Sequence, residues 1–234
     1  MKILVLGDIH GRTIWKDIIS KENPDKVIFL GDYVSSHDNI NGEDQISNLK
    51  NIIEYKKNNI DKVILLRGNH DIQHLGYYWA RCSGENHKVL YFMSAPEFKE
   101  EFLSLTSWIH IEKDIETIFS HAGISKTWLD EILGDTIENI NKYKPDERFG
   151  FTPNWLGDYY GESPTQPPTW IRPSTLKSCK AIGWSQVVGH TPVKNIVNLK
   201  VTLDIDQDNI WLCDALGVNQ YLVIDNKKFE PKTF

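Results

Sequence analysis

Three short apolar runs of one design constrain this chain more than any other feature. Lys2 to Leu6 (KILVL) leads into Gly7-Asp8-Ile9-His10-Gly11, Lys26 to Leu30 (KVIFL) into Gly31-Asp32-Tyr33, and Lys62 to Leu66 (KVILL) into Arg67-Gly68-Asn69-His70-Asp71. Continuous β-branched runs bounded by glycine read as strands buried on both faces. Helix-length stretches separate them, Thr13 to Lys21 and Glu43 to Asn58, and Ile46, Leu49 and Ile53 mark an apolar stripe on the second. Strand–helix–strand–helix–strand is the layout of parallel βαβ units.

The second half has a different texture. Ser107 to Ile111 and Glu116 to Phe119 read as a strand pair joined by residues 112–115, the second leading into Ser120-His121-Ala122-Gly123. Ser125 to Leu133 reads as a helix, with Ser125 as N-cap and Gly134 past its end. Gln186 to Val188 runs into Gly189-His190-Thr191-Pro192, and Ile196 to Leu203, Ile210 to Cys213 and Gln220 to Ile224 form a strand-rich tail. The expected fold is a single α/β domain over residues 1–234, a two-sheet β-sandwich core flanked by helices. Residues 144–173 stand apart as a long loop with six of the ten prolines and the aromatics Phe149, Phe151, Trp155, Tyr159, Tyr160 and Trp170. Such aromatic content argues for an ordered cover rather than a linker.

Composition narrows the function classes. A net charge of −6 argues against non-specific nucleic-acid binding, which needs an excess of Lys and Arg to release counterions. No apolar run approaches the roughly 20 residues of a membrane span. Cys82, Cys179 and Cys213 are far apart and odd in number, which suits free thiols in the cytoplasm. In an open α/β sheet, ligands bind beyond the carboxyl ends of strands. Here those ends carry Asp8, His10, Asp32, Asn69, His70, His121 and His190. One strand-end Asp or His is usually a turn or cap residue. Five such clusters, each behind an apolar run, instead offer carboxylate, imidazole and amide oxygen together, a donor set for Mn, Fe, Zn or Mg. Asp8 and His10, at i and i+2, share a direction if strand geometry persists.

The set GDIHG (7–11), GDYV (31–34), GNHD (68–71), HAG (121–123) and GHTP (189–192) resembles the calcineurin-like metallophosphoesterase family, and its single-histidine GHTP resembles the phosphoprotein-phosphatase branch with its compact phage and bacterial enzymes. The resemblance implies two divalent metal ions, Mn first, with Fe, Zn, Ni or Mg as other candidates. Asp8 and His10 would hold the first ion, Asp32 both, and Asn69, His121 and His190 the second. His70 matches the general acid, and Arg172, in Trp170-Ile171-Arg172, matches a substrate-binding arginine; Asn69 is also close to substrate. Arg67 reads as a supporting residue. The branch continues GD-x-V with Asp-Arg-Gly, where this chain has Ser35-Ser36-His37. Asp38 or Asp71 would then have to orient His70, and Ser36 or His37 to contact phosphate.

The activity implied is a phosphomonoesterase of the serine/threonine protein phosphatase kind, using a hydroxide shared by two metals roughly 3.5–4 Å apart. Its substrate would be a phosphorylated protein or a small phosphate ester. The alternatives are a nucleotide phosphodiesterase or dinucleoside polyphosphate hydrolase, with the loop aromatics stacking a base, and a non-catalytic metal-binding module.

Overall fold

The computed structural model describes residues 1–80, 82–151, 161–181, 183–200 and 209–234. Trp155, Tyr159 and Tyr160 lie outside the described residues. Two sheets pack face to face. The first contains β1 (Lys2–Leu6), β2 (Lys26–Phe29), β3 (Val63–Leu66), β4 (Thr106–Ser107), β10 (Gln220–Asp225) and β11 (Lys228–Thr233), in the order β11-β10-β1-β2-β3-β4. The second contains β5 (Ile109–Glu112), β6 (Thr117–Ser120), β7 (Ser185–Val188), β8 (Val197–Lys200) and β9 (Asn209–Leu212), in the order β5-β6-β7-β9-β8. β1 to β4 run parallel, and β10 closes antiparallel on β1 with Lys2 opposite Asp225 and Val5 opposite Leu222.

The unbroken apolar runs follow from this sandwich, because strand residues alternate between two buried layers. Ile3, Val5, Ile28, Leu30, Leu66 and Leu222 face the second sheet and meet Phe119 and Val187. Leu4, Leu6, Val27, Phe29, Val63 and Leu65 face the helices, where Ile18, Leu49, Ile52 and Phe102 cover them. Each such side chain contributes about 1.5–3 kcal/mol on burial, so polar interruption of either face would be expensive.

The covering helices are α1 (Trp15–Glu22), α2 (Gly42–Asn58), α3 (Asn69–His74), α4 (His87–Met93) and α5 (Pro96–Leu105); α6 (Pro173–Cys179) lies beside the second sheet. Asn41 caps α2 by accepting the Asp44 N–H at 2.9 Å, and Glu43 and Lys57 complement its dipole. Ser125 caps the helical turn that contains Trp128–Leu133, accepting the Trp128 N–H at 2.9 Å, and Gly134 ends it at φ 67°.

One expectation needs correction. Ser107 to Ile111 is not one strand: Trp108, 1 % exposed, is buried at the point where the chain passes from β4 in the first sheet to β5 in the second. Trp108 and Trp128 are buried in the core, while Trp79 is only half-buried.

Candidate metal centre

The loops after β1, β2, β3, β6 and β7 converge at one end of the sandwich. Asp8, His10 and Asp32 form one group whose ligand atoms lie within 4.8 Å of one another, and Asp32, His121 and His190 form a second. Asp32 belongs to both. Asn69 Oδ1 lies 3.0 Å from His121 Nε2 and 3.1 Å from His190 Nδ1, so it joins the second group.

Asp8 and His10 do not meet through strand alternation. β1 ends at Leu6, and His10 turns back in the left-handed region at φ 44°. Asp32 (φ 50°) and His190 (φ 63°) are also left-handed. Such backbones cost of order 1–3 kcal/mol each for non-glycine residues and persist only where neighbours fix them. Here the His10 N–H donates to Asp32 O at 2.7 Å, and the His190 N–H donates to the Asp8 carboxylate at 3.0 Å. Asp71 completes the frame by accepting from the N–H groups of Asp32, Tyr33 and Gly68, all at 2.8 Å. Two glycines are obligatory for the same closeness: a Cβ at Gly68 would lie 2.1 Å from Asp32 Oδ1, and one at Gly189 2.2 Å from Asp8 Oδ1.

The imidazoles are oriented by their other nitrogens. His10 Nδ1 bonds to Val34 O and His121 Nδ1 to Leu30 O, each at 2.9 Å, which leaves both Nε2 atoms for the centre. His190 Nε2 is buried with no hydrogen-bond partner among the described residues. Carboxylate, imidazole and amide oxygen gathered in two groups that share Asp32 are a donor set that fits a pair of divalent ions. Charge agrees. Burial opposes protonation of His121, but the carboxylates of Asp32 and Asp8 outweigh it and raise its pKa to about 10. Burial lowers His10 and lowers His190 strongly. Burial raises Asp8, with Asp214 adding to the effect.

Asp8, His10, Asp32, Asn69 and His190 line a cavity of about 440 Å³ together with Arg12, His37, His70, Cys82, Trp170, Arg172 and Asp214, with His121 buried behind it. His70 Nε2 lies 4.0 Å from Asp32 Oδ2. Burial lowers its pKa to about 4, against the pull of Asp32. Arg172 Nη1 donates to Thr191 Oγ1 at 3.2 Å, beside His190. The described part of the long loop carries it there: Pro168 O accepts the Ala122 N–H at 2.6 Å, and Trp170 packs edge-on against His190.

Neither carboxylate expected to orient His70 does so. Asp71 is occupied by backbone N–H groups, and Asp38 pairs with Arg12 at 2.6 Å. The group beside His70 Nδ1 is the Cys82 thiol, at 3.5 Å, which donates in turn to Gln73 Oε1. Ser36 does not line the cavity; its hydroxyl accepts the Asp38 N–H. His37 does line it, 5.1 Å ring to ring from His10. Arg67 holds Leu103 O and Thr106 O at the end of α5, away from the cavity. Sequence reasoning missed Arg12, Cys82 and Asp214. Arg12 was visible as the residue next to GDIHG, whereas Cys82 and Asp214 carry no local signature.

Comparison with known proteins agrees with this architecture. The symmetrical bis(5'-nucleosyl)-tetraphosphatase of Buchnera aphidicola subsp. Schizaphis graminum is 28% identical over 141 residues, covering 55% of this chain and 46% of that protein. The chain thus spans under half the length of that curated relative. Among solved structures, the cold-active protein-tyrosine phosphatase of a psychrophilic Shewanella superposes with a TM-score of 0.65 at 17% identity, covering 98% of this chain and 77% of that one. A serine/threonine phosphatase of Saccharomyces cerevisiae superposes with a TM-score of 0.59 at 14% identity, covering 100% and 79%. At such identities the likeness shows the fold. The family model for calcineurin-like phosphoesterases matches residues 1–222, so the sandwich, the five converging loops and the shared Asp32 belong to a chain that is a member of the calcineurin-like phosphoesterase family.

Proposed function

We propose that this metal-dependent phosphoester hydrolase is a phosphomonoesterase, releasing inorganic phosphate from a phosphorylated protein or a small ester. One observation carries the reading: two ligand groups share Asp32, and all their residues but His121 line a single cavity with His70 and Arg172. Asp8, His10 and Asp32 would hold one ion, and Asp32, Asn69, His121 and His190 the other. When bound, the ions supply a water of lowered pKa and positive charge for the phosphoryl oxygens. Manganese is the first candidate, because the set mixes carboxylate, amide and imidazole.

The remaining chemistry belongs to the chain. Arg172 presents a planar fork that can grip two phosphoryl oxygens at once. His70 protonates the leaving oxygen, a step worth about 10²–10⁴-fold. Its pKa of about 4 leaves it neutral at pH 7. A phosphate dianion beside the ring stabilises the imidazolium and raises that value when substrate arrives. Asp71 supports catalysis at one remove, by holding the Asp32 and Gly68 backbones. No helix among the described residues is long and apolar enough to cross a membrane. Cys82, Cys179 and Cys213 as free thiols support a cytoplasmic setting.

A second reading, hydrolysis of a dinucleoside polyphosphate, is favoured by the tetraphosphatase relative and by half-buried Trp170 at the cavity wall, where a base could stack. The deciding experiment is a panel with Mn²⁺: an aryl monoester, an aryl diester, phosphopeptides and a dinucleoside tetraphosphate. Monoesters should lead in kcat/KM by at least about tenfold, and His70→Ala should slow the phosphopeptides more than the activated aryl ester. A lead for the dinucleoside tetraphosphate would replace the monoester reading with the second.

A further inference from the structure

Position 36 is serine where the branch has a phosphate-gripping arginine, and Ser36 stays off the cavity wall. Among the described residues two guanidinium-bearing side chains line the cavity, Arg12 and Arg172. Arg12 is held firmly. Its N–H donates to Ile9 O at 2.9 Å, and its carbonyl accepts from Asn48 Nδ2 at 3.0 Å, with Asn48 fixed in turn by the Trp15 indole. Its side chain is tied along one edge, with Nε to Asp38 Oδ2 at 2.6 Å and Nη1 to Asp8 O at 3.4 Å. Nη2 has no hydrogen-bond partner among the described residues.

That free end sits at the cavity wall. A Cβ at Gly217, itself a wall residue, would come within 3.1 Å of Arg12 Nη2. Glycine at 217 therefore leaves room for the guanidinium. Asp38, half of whose side chain is exposed, reaches the Arg12 side chain from the Ser35–Asp38 turn, the turn that lacks the family arginine. A solvent-exposed pair of this kind adds little stability; it aims the guanidinium instead. The two arginines also attend different ligand groups. Arg12 Nη1 donates to Asp8 O at 3.4 Å, whereas Arg172 Nη1 donates to Thr191 Oγ1 at 3.2 Å, next to His190.

We propose that Arg12 binds the phosphoryl group in the cavity and supplies the guanidinium absent at position 36. The ligand class is a phosphate dianion or the terminal phosphoryl of an ester, held between Arg12 on the Asp8–His10 side and Arg172 on the His190 side. This rests on the phosphoester reading of the cavity, and on neither choice of ester.

The test reads binding rather than turnover. Mn²⁺-loaded wild type, Arg12→Ala, Arg12→Lys and the double variant Arg12→Ala/Ser36→Arg are titrated calorimetrically with inorganic phosphate, and the metal content of each is measured. Arg12→Ala should keep its ions and bind phosphate roughly 10–100-fold more weakly, the size of a lost charge-assisted hydrogen bond. Arg12→Lys should fall between, and Ser36→Arg should recover part of the loss by restoring an arginine on the neighbouring turn. Unchanged phosphate affinity in Arg12→Ala would overturn the proposal. So would loss of metal in both Arg12→Ala and Arg12→Lys, since Arg12 would then be supporting the ligand loops. If wild type cleaves no monoester yet phosphate binding depends on Arg12, the proposal stands and the monoester assignment falls.

Discussion

The two halves of the metal centre are built differently. Asp8, His10 and Asp32 come from loops after β1 and β2, adjacent parallel strands joined by one helix, and the His10 N–H and Gly11 N–H bond directly across to Asp32 O and Tyr33 O. His121 and His190 follow β6 and β7 of the other sheet and reach Asp32 only once the two sheets have packed. The protonation states differ as well. Burial keeps His10 neutral, ready to coordinate, whereas Asp32 and Asp8 hold His121 protonated. The first group is local; the second is assembled over long range, and its His121 must release a proton before that imidazole can bind a cation.

Asp32 joins the halves, so removing its charge is the harshest way to break the comparison. Asp32→Asn should lower kcat/KM by more than about 10⁴-fold, because it disturbs both ions and with them the roughly 8-unit lowering of the pKa of water that such ions can provide. Metal analysis should show fewer than two ions per chain. Full activity with full metal content would dissolve the idea of a shared ligand.

Smaller effects separate the halves. His10→Ala and His190→Ala should each lose more than about 100-fold in activity, since residues that merely support a ligand already cost 10–100-fold. Their residual ions should differ. At pH 7, His190→Ala should keep one tightly held ion on the local group, while the ion left in His10→Ala should be weak, as read by competition with a chelating dye. Equal residual affinities would erase the distinction.

The finest difference is one of proton count. With its pKa raised to about 10, His121 carries a proton at pH 7 and must lose it to coordinate. Metal affinity of the second group should therefore rise as pH rises toward 10 and fall, by up to about tenfold per unit, as pH drops. Calorimetry of His10→Ala in buffers of different ionisation enthalpy should show about one proton released per ion. Zero release would mean that His121 is already neutral.

How much of this was legible in the sequence follows the same divide. Asp8, His10, Asp32, Asn69, His121 and His190 stood out because each follows an apolar run that had to be a buried strand. The chain carries no such periodic cue where packing decides the outcome. β11, Lys228–Thr233, went unseen because it is largely exposed and holds Pro231 among charged residues. α4 and α5 left faint marks that could have been read, the Asn86 cap and Pro96 in the first turn. That Asp71 braces three backbone N–H groups, and that a thiol rather than a carboxylate lies beside His70, depend on loops meeting in space and have no counterpart in local spacing.

The pairing of β1 with β10 has a bearing on biosynthesis. β1 leaves the ribosome ahead of β2 and β3, and with them the parallel core can begin to form. One edge of β1 nevertheless stays open until Gln220–Asp225 is made, and its register with Lys2–Val5 spans almost the whole chain. Such non-local closure is slow and leaves an unsatisfied strand edge exposed while it waits. The strand that leads to Asp8 is thus sealed only after His190 has emerged. A nascent chain stays an incomplete hydrolase until β10 has folded back on β1.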